Sequence, residues 1–255
     1  MYYSRRCKRV SASRSESCII SRNEETAKYR KRHRQGIIGK AYDELSTVSE
    51  VSNTPVDSDW VSEFFDNVAN VSNEQMQVLW GKLLAGEIKK PGSFSLRTLS
   101  TLKTMSQQEA EIFNECSQFV LKCKSDTEGL EWDYFLMDND MGTLLNSYDI
   151  PFSKIMVLDQ AGLITSNSTI HIFFTIDPNN SETIYGHHKA INIKNNGDKQ
   201  VRVDHSAYIF TQAGNELLTL TSTAEAFEKS NSYMECCVGE LRKSIYNKQI
   251  LFSMV

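Results

Sequence analysis

The sequence predicts a mainly α-helical protein with a smaller α+β part, in which an N-terminal helical domain precedes a C-terminal winged-helix-like domain. Two observations support this fold class. Residues 58–125 contain amphipathic segments whose apolar residues recur every three or four positions. Residues 130–255 contain two short helical segments and then β-rich segments. A helix-turn-helix followed by a hairpin is the element order of a winged-helix module.

The N-terminal residues are strongly basic. Residues 1–40 carry twelve Lys or Arg and three acidic residues, whereas the other residues carry 16 basic and 29 acidic ones. We interpret residues 1–22 as a disordered basic tail, because they are rich in Ser and Arg and show little periodicity. Residues 23–57 predict a basic helix and a polar linker, with Gly36 and Gly39 marking a break in the helix. Such an arm either contacts nucleic acid or anionic lipid, or folds back on the acidic body.

Residues 58–125 predict the helical domain. The segment DWVSEFFDNVANV predicts its first helix, with an apolar face. In the next helix Ser72 and Gln75 are spaced as a capping box, in which each side chain bonds a backbone N–H near the other. The apolar stripe of that helix comprises Met76, Leu79, Trp80, Leu83, Leu84 and Ile88.

The stretch PGSFS predicts a sharp hinge between that helix and a following one, which Ser93 or Ser95 caps. We expect Phe94 to fill the corner and interpret Glu87 as a solvated acid on the helix surface. The residues assigned to this structural hinge are Trp80, Glu87, Pro91, Gly92 and Phe94.

A second capping box, Ser106 with Glu109, opens a further helix. We expect it to continue to Cys123, because Phe113, Cys116 and Cys123 fall on one helical face. The six cysteines contain no C-x-x-C pair, so reduced thiols are expected. Cys116 and Cys123 are expected to pack as small hydrophobic residues.

Residues 130–255 predict the winged-helix-like domain. A helix starting at Pro151 occupies the position of a recognition helix, and strands are predicted at 169–176, 190–195, 207–210 and 249–255. The candidate recognition helix offers one cation, Lys154, and one acid, Asp159. Because phosphate contacts require a basic face, packing or protein contact is favoured over DNA reading.

The sequence contains no recognised catalytic motif. No phosphate-binding glycine loop or nucleophile elbow is present, and His171, His187, His188 and His205 have no nearby ligand pattern. We therefore assign no catalytic, cofactor-binding or metal-ligating residue and expect no cofactor. No apolar run is long enough for a membrane span or a signal peptide, so a cytoplasmic protein is expected.

Residues 59–113 resemble a bacterial family of uncharacterised proteins, domain of unknown function 2806. The resemblance is carried by an acidic-Trp helix, the pattern W-x-x-L-L-A-x-E from Trp80 to Glu87, and P-G-S-F-S-x-R-T-L from Pro91 to Leu99. An E-A-x-x-F helix from Glu109 to Phe113 completes it. A looser resemblance to abortive-infection alpha proteins implies a role in phage defence, and neither resemblance implies a catalytic residue.

The favoured interpretation is a non-enzymatic protein-interaction or regulatory protein of bacteria, for which a protein partner is expected. Oligomer formation is left open. The alternatives are a nucleic-acid-binding regulator that uses the basic arm, and an unrecognised hydrolase. The candidate interaction residues are Arg30, Lys31, Arg32, Arg34 and Arg97.

Overall fold

The computed structural model describes residues 3–46, 51–124, 131–137, 143–166, 171–221, 227–245 and 249–255, and over 3–22 it describes the backbone alone. Two compact units are present, Met1–Leu99 and Ser100–Val255. The division falls inside one helix, earlier in the chain than the predicted boundary at 125–130.

The helices are α1 (Tyr3–Ser46), α2 (Ser58–Val68), α3 (Glu74–Lys89), α4 (Leu96–Thr104), α5 (Gln107–Ser117), α6 (Thr143–Asn146), α7 (Phe152–Gln160), α8 (Gln212–Leu218) and α9 (Phe227–Ser244). The strands are β1 (Leu121–Lys124), β2 (Glu131–Leu136), β3 (Ile164–Thr165), β4 (His171–Ile176), β5 (Ser181–Tyr185), β6 (Ala190–Asn195), β7 (Val201–Phe210) and β8 (Ile250–Met254).

In the first unit, α1 packs on α3 and α2. The helix α1 begins at Tyr3, within the stretch 1–22 that the sequence predicts to be a disordered tail. The disorder of that stretch in solution stays a prediction. The predicted break at Gly36 and Gly39 was wrong, because α1 continues through both glycines. The capping box at the start of α3 was also wrong, since Asn73 is the N-cap and its side chain accepts the Met76 N–H.

The second unit is built on an antiparallel sheet of eight strands. The strand order is β3-β7-β2-β1-β5-β6-β8, and β4 pairs with β7 outside this path. Strand β7 is long enough to serve three partners: Val201–Ser206 pair with β4, and its C-terminal half pairs with β2 and β3. The helix α9 packs on β6 and β7, and its buried side chains are Ser230, Asn231, Tyr233, Met234, Cys237 and Leu241.

The predicted fold class, mainly α-helical with a smaller winged-helix-like α+β part, was wrong, although the N-terminal helical part is present. A winged helix adds a small hairpin to its helices, whereas here β1, β2 and β5 extend the sheet to eight strands. These strands have mixed polar and apolar sequences, which weakens their strand signal. Strand β2 pairs with β7 and β1 pairs with β5, and both pairs join residues that are distant in sequence. The helices α6 and α7 exist, but Lys154 of α7 pairs with Glu115 of α5 and is used inside the unit.

The helix predicted to run to Cys123 ends at Ser117. Leu121 and Cys123 are buried and Lys122 between them is exposed, which is the two-residue alternation of a strand. The second capping box is confirmed, since Ser106 Oγ accepts the Glu109 N–H and the Glu109 carboxylate accepts the Ser106 N–H. The buried-thiol prediction is confirmed for Cys116, where burial raises the pKa to about 12, and for Cys123, where it raises the pKa to about 11.

Candidate functional site

The residues of the predicted hinge meet around a buried carboxylate. Glu87 lies in the last turns of α3 and is only 2% exposed, so its interpretation as a solvated acid was wrong. Its Oε1 accepts the Gly92 N–H at 2.6 Å and its Oε2 accepts the Phe94 N–H at 2.9 Å. A buried carboxylate is tolerated where charge-assisted hydrogen bonds satisfy it. Glu87 therefore fixes the loop that follows its own helix.

The same corner is closed by aromatic packing. Gly92 adopts a φ of +85°, a conformation that glycine reaches without a side-chain clash, and this turns the chain after Pro91. Phe94 is buried, and its ring lies against Gly86, where an added Cβ would come within 2.8 Å of the ring. The indole N–H of Trp60 donates to the Phe94 carbonyl at 2.8 Å.

Trp80 supports the corner from the middle of α3. It is 1% exposed and lies edge-on to Phe64, which in turn stacks with Trp60 at 5.3 Å between ring centroids. The five hinge residues thus take part in one packed, hydrogen-bonded corner, so this part of the chain is a rigid turn. We refer to this arrangement as the Glu87 corner.

The position of α1 depends on a glycine of α3. A Cβ at Gly81 would lie 2.7 Å from the Lys40 Cβ and 3.2 Å from the Ala41 nitrogen, so only glycine permits this approach. Ile37 and Ala41 are buried on the face of α1 that is used in this packing. The Lys40 ammonium also lies 3.5 Å from the Glu74 carboxylate. One face of α1 is thereby committed to the unit's own core.

The predicted interaction residues divide into two groups. Arg30, Lys31 and Arg32 are exposed on α1, and Arg97 is exposed on α4. Arg34 is used within the unit: its Nε donates to the Phe65 carbonyl at 3.0 Å, and its guanidinium lies 3.5 Å from the Asp66 carboxylate. Arg34 therefore joins α1 to α2 and is less available to a partner.

Another face of α1 remains uncovered. Five exposed residues recur at alternating spacings of three and four, which places them on one side of a helix. They are Lys28, Lys31, Gln35, Ile38 and Tyr42, and we call them the outer stripe of α1. Ile38 is 44% exposed and Tyr42 is 72% exposed. The stripe is cationic at its N-terminal end and apolar at its C-terminal end.

The second unit contains a polar cluster that sequence reasoning missed. On the solvent side of the β4–β7 pair, the Asp204 carboxylate contacts His171 Nδ1 at 3.1 Å and Arg202 at 3.0 Å. The Arg202 guanidinium also lies 3.9 Å from the centre of the exposed Phe173 ring. Partial burial would raise the pKa of Asp204, but hydrogen bonds from Arg202 and His171 outweigh it and lower that pKa. The cross-strand register, which the sequence does not display, brings these residues together.

Two further histidines, His187 and His205, make contacts within the fold. His187 lies in the β5–β6 turn and its Nε2 is 2.6 Å from the Ser117 carbonyl at the end of α5. His205 is buried beside the Tyr134 ring, and burial lowers its pKa to about 4, so it is neutral at physiological pH. Among the described residues, no group of three or more His, Cys, Asp and Glu side chains could hold a metal ion.

The structure defines a protein with two units. One is a helical unit that contains the Glu87 corner, and the other is built on an antiparallel sheet. The chain belongs to the family described as "Protein of unknown function (DUF2806)", whose model matches residues 19–235. The strand β8 lies beyond the matched residues. Neither the curated proteins nor the solved structures contain a significant match to this chain. In the part of the chain that is described, no helix is long and apolar enough to cross a membrane.

Proposed function

We propose that this protein works by binding a partner protein through the outer stripe of α1. The observation that carries the proposal is the pair of exposed apolar side chains, Ile38 and Tyr42, beside exposed cations on a helix whose packed face is already used. The partner we expect presents an apolar patch flanked by acidic residues. A location in the cytoplasm is part of the proposal.

The stripe suits a protein partner for a physical reason. Burying Ile38 and the ring of Tyr42 would remove apolar surface from water, and aromatic side chains are enriched where proteins bind one another. Lys28 and Lys31 would add attraction to acidic residues, and such exposed charges mainly accelerate association and select the partner. The packing of α1 against Gly81 of α3 holds the stripe in place before binding, which reduces the entropy lost on association.

Site-specific photo-crosslinking in the host cell tests this proposal. A photo-reactive phenylalanine analogue at Tyr42 should give a discrete protein adduct, whereas the same analogue at Leu96 should not. Leu96 is the matched control because it is also an exposed apolar residue on a helix, 49% exposed, outside the stripe. The substitution Ile38→Asp should remove most of the adduct at position 42. Identical adducts at both positions, or an adduct that Ile38→Asp leaves unchanged, would refute the proposal.

The exposed Arg30, Lys31 and Arg32 favour nucleic-acid binding as a second candidate function. Binding that depends on phosphate contacts weakens steeply as salt rises, because counterions are released from the nucleic acid. We would measure binding of the full chain to labelled random DNA and RNA at low and moderate salt. Salt-sensitive binding that Arg30→Gln, Lys31→Gln and Arg32→Gln together abolish would support this candidate, and no binding at low salt would eliminate it.

A role in phage defence is a further proposal, supported by the resemblance to abortive-infection alpha proteins alone. Survival of infected host cells, compared between cells with the intact protein and cells with the Ile38→Asp variant, tests it. Equal survival would argue against such a role for the stripe.

A further inference from the structure

The strand β8 forms an edge of the antiparallel sheet. Among the described strands it pairs with β6 alone. The Ala190 N–H donates to the Val255 carbonyl and the Val255 N–H donates to the Ala190 carbonyl, both at 2.9 Å, and the Asn196 N–H donates to the Gln249 carbonyl at 3.0 Å. In an antiparallel pair, alternate residues bond to the same neighbour. Ile250, Phe252 and Met254 therefore direct their backbone N–H and carbonyl groups away from β6.

The features that normally protect such an edge are missing from the sequence of β8. Natural edge strands are protected by charged side chains, prolines or bulges, since a free edge otherwise pairs with another strand. Residues 249–255, with the sequence QILFSMV, contain no charged residue, proline or glycine. Leu251 is 55% exposed and Val255 is 77% exposed on the solvent side of the strand. Within the described strands, this edge is therefore unpaired as well as apolar.

We propose that β8 pairs with β8 of a second copy of this chain and so joins two sheets edge to edge. The strand is self-complementary when the twofold axis passes through Phe252. In this register Phe252 faces the partner copy's Phe252, and Ile250 faces its Met254. All three outward residues then make both of their backbone hydrogen bonds, about six bonds in all. The uncharged sequence means that no like charges of the two strands oppose each other.

The symmetry of this strand pair favours a second copy of the chain as the partner of β8. Two identical edge strands satisfy one another by a twofold axis, which is the commonest symmetry of homo-oligomers. The second unit as a whole is acidic, so partners held by surface charge would have to be basic, whereas the edge itself offers backbone groups and neutral side chains. A strand pair this short buries little surface, so the dimer should form at micromolar or higher protein concentration, as weak interfaces do.

The register predicts a charge test at two exposed positions. In the dimer, Leu251 of one copy lies opposite Ser253 of the other, on the solvent side of the sheet. Leu251→Lys with Ser253→Lys places two lysine pairs across the interface, whereas Leu251→Lys with Ser253→Glu places two lysine–glutamate pairs there. Both variants carry Leu251→Lys, which places a lysine opposite Lys194 of the same chain. The repulsion between these two lysines is therefore the same in both variants and does not affect the comparison.

Sedimentation velocity of the full chain, from about 1 to 200 µM, measures the dimer. We expect a concentration-dependent dimer in the native chain, and a dissociation constant on the order of tenfold higher for the Lys/Lys variant than for the Lys/Glu variant. Circular dichroism and the melting temperature should show that both variants stay folded. A monomer at every concentration would overturn the proposal, and so would a dimer of equal strength in the two variants, because it would use another surface.

Discussion

Glu87 in the helical unit and His205 in the sheet unit are both buried polar residues, but their surroundings differ. Two backbone N–H groups satisfy the Glu87 carboxylate. Both ring nitrogens of His205 are without a hydrogen-bond partner among the described residues. Burial lowers the pKa of His205 from 6.5 to about 4; the Asp204 charge raises it to a smaller extent, and the His171 charge lowers it slightly. A buried polar residue is thus accommodated either by dedicated donors or by remaining neutral.

The largest expected effect is at Glu87. Glu87→Ala would leave the N–H groups of Gly92 and Phe94 buried without acceptors, so we expect the free energy of unfolding to fall by about 3 kcal/mol. Glu87→Gln retains one acceptor oxygen and should lose about half as much. Urea denaturation followed by circular dichroism measures both losses.

The matched control is Glu74→Ala, also in α3. Glu74 is 87% exposed and pairs with Lys40 at 3.5 Å, so its removal should lower the free energy of unfolding by less than about 1 kcal/mol. Equal losses at Glu87 and Glu74 would mean that the corner does not depend on its carboxylate.

The second-largest expected effect is a loss of unfolding free energy at low pH, caused by His205. The folded pKa is about 4 and the unfolded value is 6.5, so the unfolded chain binds the proton first as the pH falls. Stability from this residue is complete above pH 6.5 and is lost between 6.5 and 4. At pH 5 the loss relative to pH 8 should be about 2 kcal/mol.

Other groups also titrate in this range, so the comparison is with His205→Leu. Urea denaturation of both proteins at pH 8 and pH 5 should show a smaller loss for the variant, by about the same 2 kcal/mol. If the two proteins lose the same stability, His205 is either protonated in the folded protein or not buried in solution.

Local sequence signals were sufficient for much of the helical unit. The periodicity of apolar residues located α2, α3 and α4, and in the second unit the pairing of Ser106 with Glu109 located the start of α5. The Glu87 corner was only partly predictable. The hinge followed from Pro91-Gly92, but the burial of Glu87 depends on two N–H groups of the next loop, which periodicity cannot reveal.

The sheet unit was harder to predict because several of its pairings, such as β2 with β7 and β4 with β7, join strands that are distant in sequence. Strand β7 alternates apolar and polar residues from Val201 to Ala207, and its buried positions include His205, a residue type that obscures the pattern. His171 and Asp204 are 33 positions apart and meet only through the β4–β7 register. An alternation test that allowed a buried histidine would have found β7, but no local pattern could have identified its three partners.

The smallest expected effect separates two tyrosines of the sheet unit, Tyr233 and Tyr134, both fully buried. The Tyr233 hydroxyl accepts the Leu136 N–H at 3.1 Å, whereas the Tyr134 hydroxyl has no hydrogen-bond partner among the described residues. Tyr233→Phe should cost about 1 kcal/mol of unfolding free energy because it leaves the Leu136 N–H buried without an acceptor. Tyr134→Phe removes a hydroxyl that bonds to no described group and should change the stability by less than about 0.5 kcal/mol.

Thermal denaturation of the two variants measures the difference, and a larger loss for Tyr134→Phe would show that its hydroxyl is satisfied in solution. The two substitutions remove the same atom from equally buried rings, so their difference measures the hydrogen bonds of the Tyr233 hydroxyl, which involve the Leu136 N–H and the Cys237 thiol.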